Sequence, residues 1–276
     1  MSNSILLIGK PHSSKTVFLS QFYSRLQKNK SKLTLYKSVE DLSPISAARE
    51  ALSNGDEPQT TPTEKSVKFY LPIQIKDEKI DLRCPEYGGE QVVGIVENRE
   101  LNKEWINSIE ESNNWIFFIR LNNINKKLDI TDITYSEQQH QQNSITTDIN
   151  SDYNISDQTF FIELLQILLH SKKYDYHIVN KKLKLTVALT CWDEMDTEEK
   201  PEDLLRKRLP LLLNFIESNW DKNYLNIIGL SAQGFSLDTA ENKDKYLIEG
   251  PENFGYLVLS DGTKSNDITQ LIEQSL

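Results

Sequence analysis

Apolar and polar positions along this chain follow two rhythms. Residues 115–119 form a continuous apolar run, and residues 4–9, 183–190 and 225–230 are largely apolar; all four have the length and composition of buried strands. Residues 67–75 and 80–84 instead alternate apolar with polar, and predict an antiparallel pair joined by Lys76-Asp77-Glu78-Lys79. Between these runs the spacing predicts helices over about 15–30, 39–54, 97–111, 160–169, 202–220 and 267–274. Asn54-Gly55 supplies a stop for the second, and Pro210 is placed to kink the fifth. Tyr256 to Leu259 is a further apolar stretch. From Asn122 to Gln158 the pattern gives way to Asn, Gln, Ser, Thr and Asp, which reads as a mobile insertion. Strands alternating with helices predict an α/β, doubly wound three-layer sandwich over residues 1–276. Its sheet should be mostly parallel with one antiparallel strand, and ligands should sit at the carboxyl ends of the strands.

Composition narrows the class. The 276 residues, 38% hydrophobic and 26% charged, fit one large domain with an insertion. A net charge of −10 argues against nucleic acid and against adsorption to anionic membranes, and reads as solubility. The two cysteines, Cys84 and Cys191, lie in apolar stretches without a CxxC or nearby histidines. They read as reduced core thiols of a cytoplasmic protein, with no zinc site. No cleavable signal opens the sequence, and no stretch reaches transmembrane length.

The chemistry is concentrated at strand ends. Ile5-Leu6-Leu7-Ile8-Gly9-Lys10-Pro11-His12-Ser13-Ser14-Lys15-Thr16 is a strand, a loop and a helix start, in the order of a phosphate-binding P-loop. Gly9 and the loop residues His12, Ser13 and Ser14 would cradle phosphates through backbone N–H groups. Lys15, read as an exposed lysine, would neutralise the β- and γ-phosphates, and the Thr16 hydroxyl would bind Mg²⁺. Ser14 stands where a glycine is usual, so a Cβ crowds the loop. Glu86 and Gly89, in Pro85-Glu86-Tyr87-Gly88-Gly89-Glu90, have the spacing of a DxxG switch with Glu for Asp. Glu86 would lie near the magnesium, with Asp81 as an alternative, and Glu90 would position water. Thr190-Cys191-Trp192-Asp193 resembles the [NT]KxD guanine motif with cysteine for lysine; Asp193 could instead cap a helix. Ser231-Ala232-Gln233 resembles the SAK base loop. Thr60, Thr61 and Thr63 share the loop where a magnesium-binding switch threonine belongs, and Thr61 is favoured.

Together these motifs resemble the P-loop GTPases of the translation-factor and Ras-like class. Gly9 to Tyr23, Glu86 to Glu90 and Thr190 to Glu194 look like the bacterial double-GTPase families linked to conflict or defence gene clusters. The resemblance implies GTP/GDP and Mg²⁺ as ligands, and a switch working with a second GTPase or an effector protein. Thr61 and Glu90 would be the catalytic residues. No arginine adjoins the P-loop in the sequence; Arg83 and Arg99 only flank the switch. Two other readings stand beside it: a degenerate binding or scaffold module without turnover, and a P-loop ATPase or kinase.

Overall fold

The computed structural model describes residues 3–59, 68–85, 90–125, 155–174 and 178–276. Its sheet is ordered β2-β3-β4-β1-β5-β6-β7-β8-β9. The strands are β1 (Asn3–Gly9), β2 (Leu33–Leu35), β3 (Phe69–Ile75), β4 (Glu78–Cys84), β5 (Asn114–Arg120), β6 (Lys184–Thr190), β7 (Leu225–Ser231), β8 (Tyr256–Val258) and β9 (Lys264–Ser265). Strands β4, β1, β5, β6 and β7 pair in parallel and form the centre. Two strands run against them, β3 and β8, where one was expected.

The period of two along each central strand builds three layers. Leu6, Ile8, Trp115, Phe117 and Ile119 enter one core. That core is shared with α3 (Glu90–Asn98), α4 (Lys103–Glu111), α5 (Asp157–Ser171), α6 (Pro201–Arg208) and α7 (Pro210–Asn219). The alternate residues Ile5, Leu7, Ile116 and Phe118 enter the other. It is covered by α1 (Lys15–Gln27), α2 (Ser43–Ser53) and α9 (Gln270–Gln274). Helix α8 (Ala240–Glu249) packs its Tyr246 with Leu52 and Leu237 in a smaller cluster.

Several elements differ from their expected form. The helix expected over 97–111 is two helices. Arg99 turns the chain at φ 56°, and the Asn102 carboxamide accepts from the N–H groups of Glu104 and Trp105 to restart it. The helix expected over 202–220 is broken rather than kinked. Leu209 leaves helical geometry at φ −137°, because the ring of Pro210 disfavours a helical residue before it. The second helix starts at Ser43, with Pro44 in its first turn, and the last starts at Gln270. Strand β2 and helix α8 had no counterpart in the sequence pattern. The hairpin joining β3 and β4 is tighter than expected: Ile75 already pairs with Glu78, and Lys76 turns the chain at φ 54°. Most of the polar stretch, residues 126–154, lies outside the described residues. Cys84 is buried, but Cys191 is not a core thiol: it lines a cavity. Among the described residues, no helix is long and apolar enough to cross a membrane.

Candidate functional site

Parallel pairing sets the carboxyl ends of β1, β5, β6 and β7 along one edge, with Arg120 in register with Thr190. The loops leaving that edge enclose a cavity of about 310 Å³. His12, Ser13, Ser14, Lys15 and Thr16 line it from the loop after β1; Cys191, Asp193 and Glu194 from that after β6; Ala232, Gln233 and Ser236 from that after β7. Three motifs far apart in sequence therefore share one space. Gly9, Thr190 and Ser231 are the strand-end residues from which these loops spring. Glu90 opens α3 and does not line the cavity. Thr61, Glu86 and Gly89 lie outside the described residues, as do Thr60 and Thr63.

The loop after β1 is tightly built. A Cβ on Gly9 would meet Ser13 Oγ at 2.7 Å and Phe118 Cβ at 2.9 Å, so no larger residue fits. His12 and Ser14 both take left-handed backbone, at φ 60° and 62°. Helix α1 starts after Ser14 with no side-chain cap and no acid in its first turn, so its positive end is left for an anion. Lys15 is not the exposed lysine expected: it is 5% exposed. Its Nζ donates to the Gly9 carbonyl at 2.6 Å, the Lys10 carbonyl at 2.9 Å and Ser13 Oγ at 3.1 Å. Its long stem lets the ammonium fold back over the loop carbonyls. Ser14→Gly should raise the unfolding free energy by about 0.5 kcal/mol, because left-handed backbone costs an L-residue roughly 1–2 kcal/mol and glycine's extra chain entropy, with the loss of the Ser14 hydrogen bond to Cys191, cancels only part. Denaturant unfolding of the two proteins checks this.

The second wall is built on β6. Cys191 takes left-handed backbone at φ 53° and caps a 3-10 turn, Trp192–Glu194, so Asp193 lies inside that turn rather than capping it. Trp192 packs over Gly229 of β7, where a Cβ would come within 2.5 Å of the indole. This contact fixes the turn that carries Asp193. Burial pushes the Cys191 thiol up to about 12, with a hydrogen bond to Ser14 pulling the other way. The thiol therefore stays protonated at neutral pH and is a poor nucleophile.

The third wall is braced from behind. Ser231 Oγ accepts from the N–H of Gly234 at 2.8 Å, closing the turn around Ala232. The Tyr246 hydroxyl accepts from Gln21 of α1 at 2.5 Å and donates to the Gln233 carbonyl at 3.3 Å. Glu57 accepts from Ser236 Oγ and the Leu237 N–H, joining the chain after α2 to this loop. The cavity thus offers a helix N-terminus and a lysine beside a carboxylate and a small-residue turn. That set suits a phosphorylated ligand whose other end carries hydrogen-bond donors.

Residues 6–275 match the family model described as Double-GTPase 1. The chain belongs to the Double-GTPase 1 family. A search of curated proteins found no match. Among solved structures, a small GTPase of Trypanosoma brucei, Arl6 BBS3 with a bound nucleotide analogue GppNp, is similar at 9% identity and a TM-score of 0.42. The match covers 90% of this chain and 96% of that one. The GTPase-like domain of S. cerevisiae Ski7, bound to GTP, is similar at 14% identity and 0.44, over 84% and 43%. A bacterial selenocysteine-specific elongation factor, EF-Sec, follows at 14% and 0.39, over 92% and 30%.

One residue of this Double-GTPase 1 chain was missed in the sequence. Arg120, the last residue of β5, lines the cavity beside Ser14 and Asp193, so an arginine does adjoin the P-loop. Arg83 and Arg99 are held elsewhere, by Asp81 and Glu111 and by Glu163. Arg120 ends a fully apolar run, and the rule that ligands gather at strand carboxyl ends marks that position.

Proposed function

We propose that this protein is a GTP-dependent switch that hydrolyses GTP slowly and signals to a second GTPase or an effector protein, in a bacterial conflict or defence system. The observation that carries the reading is the single cavity shared by Lys15, Asp193 and Ala232. In it a triphosphate would lie along the α1 N-terminus. A guanine would offer two N–H donors to Asp193, a charge-assisted pair that adenine lacks. Membership of the Double-GTPase 1 family supports GTP as the ligand.

Thr16 lines the cavity one residue after Lys15, at an α1 N-terminus without acidic residues, and fits a magnesium ligand. Thr61 and Glu86 would complete the set. Bound magnesium would supply positive charge to the phosphates. Slow turnover follows from the charges. The Arg120 charge is engaged by Glu194, and Glu90, itself negative, stands outside the cavity. An arginine from the partner would offset the transition-state charge. Single-turnover assays on the purified protein should give a rate below roughly one per minute. Fast turnover by the isolated protein would contradict this.

A second reading, nucleotide binding without turnover, is favoured by one observation: Glu90 does not line the cavity. The same assay separates the two, because that reading expects no phosphate release at all.

A further inference from the structure

The missing lysine of the base motif has a substitute on the neighbouring strand. Position 191, where a lysine stem usually lies against the base, is a cysteine that lines the cavity. Arg120 is the β5 partner of Thr190 in the parallel register, one residue from that vacated place. Arg120 lines the same cavity as Asp193. The side chain is fixed in plane. Arg120 Nη2 lies 2.8 Å from both Glu194 carboxylate oxygens, and Nε donates to Asn122 Oδ1 at 3.0 Å. Asn122 also donates to Glu194, closing the ring of contacts.

From this arrangement we infer that Arg120 is a base-holding residue: its guanidinium, held flat by Glu194 and Asn122, stacks on the base that Asp193 recognises and replaces the lysine absent at Cys191. A planar, weakly hydrated cation suits an aromatic face better than an ammonium does. The inference rests on the guanine-nucleotide reading and adds the residue that holds the base.

The test is calorimetric titration of GDP and GTP into the wild type, Arg120→Gln, and Arg120→Gln with Cys191→Lys, with thermal unfolding of each. Arg120→Gln should weaken GDP and GTP alike by roughly tenfold, the scale of one cation–π contact. Adding Cys191→Lys should recover most of that loss, which a purely structural role of Arg120 would not allow. Glu194→Gln, which keeps the arginine but loosens its plane, should weaken both nucleotides to a smaller extent; it serves if Arg120→Gln does not fold. Equal affinity in wild type and Arg120→Gln would overturn the inference. So would a loss confined to GTP, which would set Arg120 on the γ-phosphate. A wild type that binds no guanine nucleotide overturns the functional reading and this inference with it.

Discussion

Alanine at position 15 is expected to weaken GTP and GDP binding by about 100-fold or more. Hydrogen bonds from a charged donor contribute roughly 1.5–3 kcal/mol each, and Lys15 would make such bonds to two phosphates. Its present contacts change how the loss should look. The ammonium now satisfies the carbonyls of Gly9 and Lys10 and the Ser13 hydroxyl. Truncation removes those bonds as well, so a fall of a few degrees in the unfolding temperature should accompany the lost binding. Calorimetry beside a thermal melt reads both. Unchanged GTP affinity would remove Lys15 from the phosphate site.

Asp193→Asn is expected to reduce the preference for GTP over ATP by about 100-fold, while triphosphate contacts persist. The carboxylate accepts two donors; the amide turns one acceptor into a donor facing another donor, and loses the charge assistance of both bonds. The turn itself should hold, since Trp192 packing on Gly229 fixes it and asparagine occupies nearly the same volume. Paired GTP and ATP titrations check this. A variant that discriminates as well as the wild type would take Asp193 out of base recognition.

The fold was legible where one rhythm governs a whole element. Central strands such as β1 and β5 carry unbroken apolar runs, Ile5 to Ile8 and Trp115 to Ile119, because both faces are covered, and their ends mark the site. Short or edge elements were not legible. Strand β2 has only Leu33–Leu35 to show for itself, and it forms because Leu33 pairs with Ile75. The helix break at Arg99 is a backbone event in one or two residues, invisible to a pattern read over several turns, whereas Pro210 marked the place of the break at Leu209 but not its extent. Within the site, Lys15, Asp193 and Ala232 could be named because each sits at a fixed distance after an apolar run. Arg120 could not be placed by motif spacing. Its role depends on the register between β5 and β6, and on an acid 74 positions away that holds it. The buried position of Lys15 was likewise hidden, since local sequence does not show which carbonyls an ammonium can reach.

The central claim is that one cavity recognises a guanine nucleotide at both ends. Calorimetric titration of the wild-type protein with GTP, GDP and ATP in the presence of magnesium tests it most directly. The expected result is saturable binding of GTP and GDP, with ATP weaker by about 100-fold, the difference one bidentate charge-assisted pair provides. Equal binding of ATP, or no binding of any of the three, would contradict it.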